Sequence, residues 1–211
     1  MANWWNQPLA TTGSIANAVF SRMGLDPAQA LAQEKAAVAE AIQQGLERIW
    51  THYAWDEVLE IANYSPVNGL VSIGTNDNVL EIEGIYTKDP DINPTISSLK
   101  YNQVRRKVHI LETAPATIIA RYWPIPPSIE ASYFSPDTST YNHEALIDNS
   151  QGSNGYAVPK IFYSYLVSRA YQEMLIGDGQ HDKAGLIAGE AEQILYQKQQ
   201  EADRRKMGIN A

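Results

Sequence analysis

The C-terminal quarter of the chain, residues 159–206, has the sequence PKIFYSYLVSRAYQEMLIGDGQHDKAGLIAGEAEQILYQKQQEADRRK. Its first half repeats apolar residues every three or four positions, which is the period of an amphipathic helix. Pro159 suits the first turn of that helix, and Gly177 or Gly179 can adopt the left-handed conformation that ends it. Asp182 is a candidate N-cap for a second helix with a stripe of small residues. The stretch therefore predicts an antiparallel helical hairpin.

A second helical region precedes this hairpin near the N-terminus. Thr12 is predicted to cap a short helix that Gly24 ends. Asp26 and Pro27 then form a strong start signal, with the aspartate as N-cap and the proline in the first turn. The apolar positions that follow keep a helical period to about residue 52. We therefore expect one long helix here that packs on the C-terminal hairpin.

Between residues 57 and 130 the apolar period changes to two, which is typical of β-strands. Residues 107–123 contain two alternating segments joined by a short polar connection with a proline, so they predict an antiparallel hairpin. The stretch 132–155 is rich in Ser, Thr, Asn, Asp and Gly and predicts a long exposed loop. Loops of this length are usually functional or disordered.

The predicted fold class is α+β: a helical bundle, made of the long N-terminal helix and the C-terminal hairpin, with an inserted antiparallel β region. The expected division is a helical scaffold at 1–56 and 157–211, an antiparallel β insert at 57–130 and a long exposed loop at 131–156.

Composition excludes several classes of protein. A chain of 211 residues with 44% hydrophobic residues can build one sizeable core. The absence of cysteine excludes disulfides and thiolate metal sites. No signal-peptide pattern and no run of about 18 apolar residues is present, so we expect a soluble, unprocessed protein with no membrane contact.

The negative charge is concentrated in the middle of the chain. Residues 53–158 carry six Lys and Arg against thirteen Asp and Glu, which is nearly all of the net charge of −8. Such a segment would repel a phosphate backbone. Sequence-specific nucleic-acid recognition is therefore not expected.

Motifs that resemble catalytic or metal sites are incomplete. Asp89 begins a calcium-like loop, but Pro94 replaces the required glycine and Lys100 the bidentate glutamate, so a turn is favoured. Residues 69–74 resemble a nucleophile elbow with one residue too many before the serine. The four histidines include no spaced pair that would bind metal. His143, beside Glu144 and Asp148, forms the one cluster that suggests catalysis.

The order of helix, β region, loop and helical hairpin resembles the head-to-tail connector proteins of tailed bacteriophages and related gene-transfer particles, also called adaptor or neck proteins. The likeness extends from about residue 26 to 200, and Trp4, Trp5 and the loop 132–155 depart from the family pattern. The residues that carry it are LERIW at 46–50, WDE at 55–57, ARYWPIPP at 120–127, and AYQEMLIGD at 170–178 followed by Ala184.

This resemblance implies a structural virion protein rather than an enzyme, with no cofactor or metal. It implies a ring of about twelve copies between the portal protein and a downstream tail or neck protein. DNA would pass through the ring without sequence-specific binding during genome ejection. The protein would assemble in the host cytoplasm and reside in the virion neck.

Three groups of residues are candidates for roles in such an assembly. The resemblance implies that the basic C-terminal tail contacts the portal. Adjacent tryptophans in a polar terminus suggest interface anchors, since aromatic residues dominate interface hot spots. Acidic residues of the β region would repel DNA if they lined the bore. The candidates are Lys198, Arg204, Arg205 and Lys206 for the portal, Trp4 and Trp5 for the interface, and Glu81 and Glu83 for the lumen.

Two alternatives remain open from the sequence. One is a hydrolase or carbohydrate-processing enzyme that uses carboxylates and His143, which would require an acid and a base to converge in a pocket. The other is a monomeric binding module.

Overall fold

The computed structural model describes residues 9–73, 79–90, 95–104, 107–113, 115–126 and 157–206. Within them the fold is mixed α and β, with four α-helices and three small antiparallel sheets. The chain forms two compact units, called here the sheet unit, residues 54–125, and the helical unit, residues 7–53 and 126–211. Trp4, Trp5, His143 and the predicted loop at 131–156 lie outside the described residues.

The helices are α1 (Thr12–Met23), α2 (Ala32–His52), α3 (Tyr163–Gly177) and α4 (His181–Lys206). The strands are β1 (Leu9–Thr11), β2 (Glu60–Tyr64), β3 (Leu70–Ser72), β4 (Val79–Tyr86), β5 (Tyr101–Val104), β6 (Lys107–Ile110), β7 (Ile118–Pro124) and β8 (Ala157–Pro159). Short 3-10 helices occupy Asp56–Val58 and Lys160–Phe162.

Helix α1 ends as predicted but begins with a different cap. The N-cap is Thr11, not Thr12, because the Thr11 Oγ1 atom accepts a hydrogen bond of 3.1 Å from the backbone amide of Ser14. Gly24 ends the helix in the left-handed conformation with φ of 76°.

Helix α2 begins later than the sequence predicts. Asp26 and Pro27 start a turn instead of the helix, since the Asp26 side chain accepts from the amide of Ala28 and its carbonyl from Gln29. These local bonds compete with the helical ladder. The helix starts at Ala32 after Leu31, whose amide donates to the Glu34 carboxylate across 2.7 Å. Its predicted end at residue 52 is confirmed.

The C-terminal hairpin is present, with shifted starts. Pro159 lies in β8, paired with Leu9 of β1, and a 3-10 turn separates it from α3. Gly179, with φ of 74°, provides the left-handed residue between the helices, while Gly177 remains helical. Helix α4 starts one residue before the predicted cap, Asp182.

Helix α3 is the centre of the helical unit, because it packs against α1, α2 and α4. It therefore buries more than the single apolar stripe that its sequence predicts, as a helix enclosed by others does. Polar Ser168 and Gln172 are buried together with the apolar residues. Its buried residues are Tyr165, Leu166, Val167, Ser168, Ala170, Tyr171, Gln172 and Leu175.

The sheet unit contains two three-stranded sheets, and the predicted hairpin at 107–123 is wrong. The strand order is β2-β7-β4 in one sheet and β3-β6-β5 in the other, so β6 and β7 never pair. Strand β7 pairs with β2 on one edge and with β4 on the other, and both of these strands are longer than β6. The buried residues of β7 lie opposite Ile82 and Ile85 of β4. The sequence predicted that β6 and β7 pair because they are neighbours in the chain. Both edges of β7 are instead occupied by the longer strands β2 and β4.

Strand β4 departs from simple alternation at Gly84. Its pairing with β7 shifts register between Ile82 and Gly84, so Ile85 and Tyr86 are both buried. The register also shifts between Val79 and Glu81, and Leu80, which simple alternation would bury on the same face as Ile82, is 53% exposed. A bulge of this kind changes which face later residues occupy.

Candidate interaction surfaces

The last turn of α4 concentrates positive charge. Arg204 and Arg205 are exposed there, and Lys206 is the last residue of the helix. The nearby carboxylates are already engaged, since Glu201 pairs with Lys198 at 2.9 Å and Asp203 accepts from the Tyr53 hydroxyl. Lys198 is thus part of a local ion pair rather than of the terminal cluster. Cations at a helix C-terminus are also favoured by the macrodipole.

The outward face of α4 carries large apolar residues that are mostly exposed in the part of the chain that the structure describes. Leu186 is 77% exposed and Tyr196 is 58% exposed. Gly185 and Gly189 lie on the same side, and a Cβ built on either would have no atom of the rest of the described chain within 4 Å. The sequence interpretation noted only the inward stripe, of which Ala184, Ala191 and Leu195 are buried. Leu186 and Tyr196 do not follow the helical period of that stripe, and this was the signal in the sequence that could have revealed the outward face.

A tight turn in the sheet unit also exposes apolar side chains. Asn68 and Gly69 have φ of 52° and 76°, the combination of a type I′ turn. Val67 and Leu70 flank it and are 71% and 56% exposed. The elbow-like serine, Ser72, lies in strand β3 and not at a strand-to-helix turn. This part of the chain therefore exposes two apolar side chains, and Ser72 does not have the strand-to-helix position of a nucleophile elbow.

The two acidic lumen candidates differ in their surroundings. The Glu83 carboxylate lies 3.1 Å from the Arg121 Nε atom and also accepts from the Tyr86 hydroxyl. Burial, followed by the nearby Glu83 charge, raises the pKa of Tyr86 above its ordinary value. Glu81 is exposed. Glu83 is therefore paired with Arg121, whereas Glu81 is an exposed carboxylate on the same strand.

A tyrosine and carboxylate pair stabilises the β2-β7-β4 sheet. The Tyr122 hydroxyl donates to Glu60, its direct neighbour across β2 and β7. Burial is the main cause that raises the pKa of Tyr122, and the Glu60 hydrogen bond adds to it. Beside it, the Trp123 indole donates to the carbonyl of buried Trp55 across 3.1 Å. These contacts help to fix the positions of β2 and β7.

The described histidines take ordinary positions. His52 Nε2 lies 3.1 Å from Gln199 Oε1, while His109 on β6 and His181 at the start of α4 are exposed. Among the described residues no three His, Asp or Glu side chains converge in a way that could hold a metal ion. The calcium-like segment 91–94 and the His143, Glu144 and Asp148 cluster lie outside those residues.

No helix in the described parts of the chain is long and apolar enough to span a membrane. No protein-family model matches the chain, and a search of curated proteins finds no match. The functional assignment therefore rests on the surfaces described above and on the sequence resemblance.

Proposed function

We propose that the chain is a structural virion protein, a head-to-tail adaptor that forms a homo-oligomeric ring between the portal and the tail of a bacteriophage. The long helix α2 and the α3 and α4 hairpin act as a helical bundle that builds the ring wall. The sheet unit is an antiparallel β insert in the sequence between the helices. The role is geometric, and DNA passes through the ring without sequence-specific binding.

The observation that carries the proposal is the outer face of α4, where Leu186 and Tyr196 are exposed among the described residues. A glycine within a helix costs about 1 kcal/mol relative to alanine, and among the described residues nothing lies within 4 Å of a Cβ built on Gly185 or Gly189. Glycines permit close approach of another helix, and the flanking Leu186 and Tyr196 supply apolar area for it. A face of this composition is expected where subunits pack.

A head-to-tail contact between different surfaces of identical subunits closes into a ring when the rotation between copies divides a full circle. In that ring the basic end of α4, with Lys198, Arg204, Arg205 and Lys206, is proposed to contact the portal. The exposed turn at Val67 and Leu70 is proposed to face the next tail or neck protein. The ring belongs to the virion neck and is assembled in the host cytoplasm.

Electron microscopy of the purified protein, alone and mixed with its portal, tests the proposal. We expect rings in at least one of the two samples. The double variant Leu186→Asp with Tyr196→Asp should abolish ring formation without changing the unfolding midpoint, because both side chains are exposed in the single chain. Glu47→Lys, an exposed change elsewhere on the helical unit, is the control and should keep the rings.

Single particles that stay monomeric with and without portal would contradict the adaptor assignment. So would rings that are unchanged by the double variant, because the outer face of α4 would then have no part in assembly.

A further inference from the structure

An open groove of about 450 Å³ lies between the N-terminal half of α2 and the C-terminal end of α3. Apolar side chains, including those of Ala37 and Met174, contribute to its lining. Four carboxylates also line the groove, whereas none of its lining residues is a lysine or an arginine. These carboxylates belong to Glu34, Glu40, Glu173 and Asp178.

Two of the four carboxylates are already engaged. Glu34 accepts from the amide of Leu31, and Glu173 pairs with Arg169 at 2.6 Å. Glu40 and Asp178 are exposed, and their side chains have no hydrogen bond or ion pair to any described residue. The groove therefore combines an apolar lining with negative charge that a cationic side chain from outside would stabilise.

The basic end of α4 has the matching chemistry but cannot reach this groove within the same chain. Helix α4 starts next to the groove, three residues after Asp178, and Arg204 follows 23 residues after His181. At 1.5 Å per residue this places Arg204 about 35 Å away along the helix. The hydrogen bond from Tyr53 to Asp203 holds the last turn against the opposite end of α2.

We propose that this groove binds Arg204 and Arg205 of a second copy of the chain. The two complementary surfaces lie at opposite ends of one helical unit, so their contact is head to tail and leaves a free groove and a free basic end for further copies. The proposal rests on the ring of the proposed function and adds a second contact between neighbouring subunits to the one proposed for the outer face of α4. It also refines the portal contact, since it leaves Lys198 and Lys206 for the portal.

Charge reversal on the full-length protein tests this contact. One variant carries Glu40→Lys with Asp178→Lys, and the other carries Arg204→Glu with Arg205→Glu. In sedimentation equilibrium over a concentration series, each alone should self-associate at least about tenfold more weakly than wild type, because like charges then meet. An equimolar mixture of the two should associate again, since both possible contacts pair opposite charges.

The control variant, Glu47→Lys with Glu112→Lys, makes the net charge more positive by the same amount as the groove variant, at exposed positions outside the groove, and should associate like wild type. Raised salt should weaken wild-type association because the contact is exposed. Circular dichroism confirms that each variant is folded.

Three results would overturn the inference: a wild-type protein that is monomeric throughout the series, reversed variants that associate like wild type, or a mixture without recovery. A groove variant that loses portal binding but keeps self-association would assign the groove to the portal instead. Rings that form with portal in any of these cases would leave the proposed adaptor function intact, so the two failures are distinguishable.

Discussion

The Tyr53 hydroxyl donates a hydrogen bond of 2.6 Å to the Asp203 carboxylate and so joins the end of α2 to the last turn of α4. One turn earlier, His52 and Gln199 make a second contact between the same two helices at 3.1 Å. Charge-assisted hydrogen bonds are stronger than neutral ones. Together these contacts orient the helix end that presents Arg204 and Arg205.

Replacing Tyr53 with phenylalanine should loosen the end of α4. The variant removes the hydroxyl and leaves Asp203 without its donor, which should cost about 1.5–3 kcal/mol for a hydrogen bond to a charged group. Hydrogen exchange of the amides at 200–206 should become faster, and the free energy of unfolding in urea should fall. Tyr196→Phe is the control, since that hydroxyl is on an exposed side chain. Equal exchange rates in the two variants would contradict the assigned role of the bond.

We predict that position 84 must be glycine because the ring of Tyr86 leaves no space for a Cβ atom there. A Cβ at position 84 would lie 2.7 Å from Tyr86 Cζ and 2.8 Å from Cε2, too close for atoms of a packed ring. Gly84→Ala should therefore destabilise the protein by about 1–3 kcal/mol, the usual cost of overpacking. Thermal unfolding of a double-mutant cycle with Tyr86→Ala provides the measurement.

The same alanine should cost much less in the Tyr86→Ala background, because the clashing ring is gone. An equal cost in both backgrounds would place the strain in the backbone of β4 instead. Gly185→Ala is a matched control on a helix, where nothing opposes the new methyl group and about 1 kcal/mol of stabilisation is expected.

The free energy of unfolding should fall at alkaline pH, over the range between the unfolded and folded pKa values of Tyr165. Burial is the main cause that raises the pKa of this side chain to about 12, from 10.0 for an ordinary tyrosine. Between these values the native state holds a proton that the unfolded chain has lost, so stability falls as pH rises through the window. The Tyr165 contribution should be about 1.4 kcal/mol lower at pH 11 than at pH 9.

Urea unfolding of wild type and Tyr165→Phe over this pH range measures that difference. The variant should show a smaller decline, because phenylalanine has no proton to lose while the other tyrosines are retained. Parallel declines in the two proteins would show that Tyr165 titrates alike in the folded and unfolded states.

The helices could be predicted from signals in neighbouring residues. The sheets could not, because they depend on pairing between strands that are distant in the sequence. Gly24 and Gly179 could be identified as helix ends because glycine adopts positive φ without steric cost. The start of α2 was missed because Asp26 satisfies amides of a turn as readily as those of a helix. The partner of β6 was missed because strand pairing depends on which edge is free after folding, and the hydrophobic period does not contain that information.

The candidate surfaces were predictable only in part. The basic end of α4 follows directly from three consecutive cations at the end of a helical pattern. Glu81 and Glu83 looked equivalent in the sequence, and only the fold shows that Arg121 balances one of them. The acidic groove joins α2 residues to α3 residues more than 120 positions away, so no local pattern could have revealed it.

Glu81 is the position at which the proposed charge of the bore can be tested. Glu83→Lys would place a second cation beside Arg121 and disturb the fold, whereas Glu81 is exposed and can be changed alone. If the acidic strand faces DNA, Glu81→Lys should slow genome ejection, because an attractive charge in each subunit then holds the passing phosphates. Glu81→Gln removes the charge without reversing it and should slow ejection less. Fluorescence of a DNA-binding dye after triggered ejection measures both rates in virions with normal ring occupancy, and ejection at the wild-type rate in the lysine variant would show that this strand does not face the DNA path.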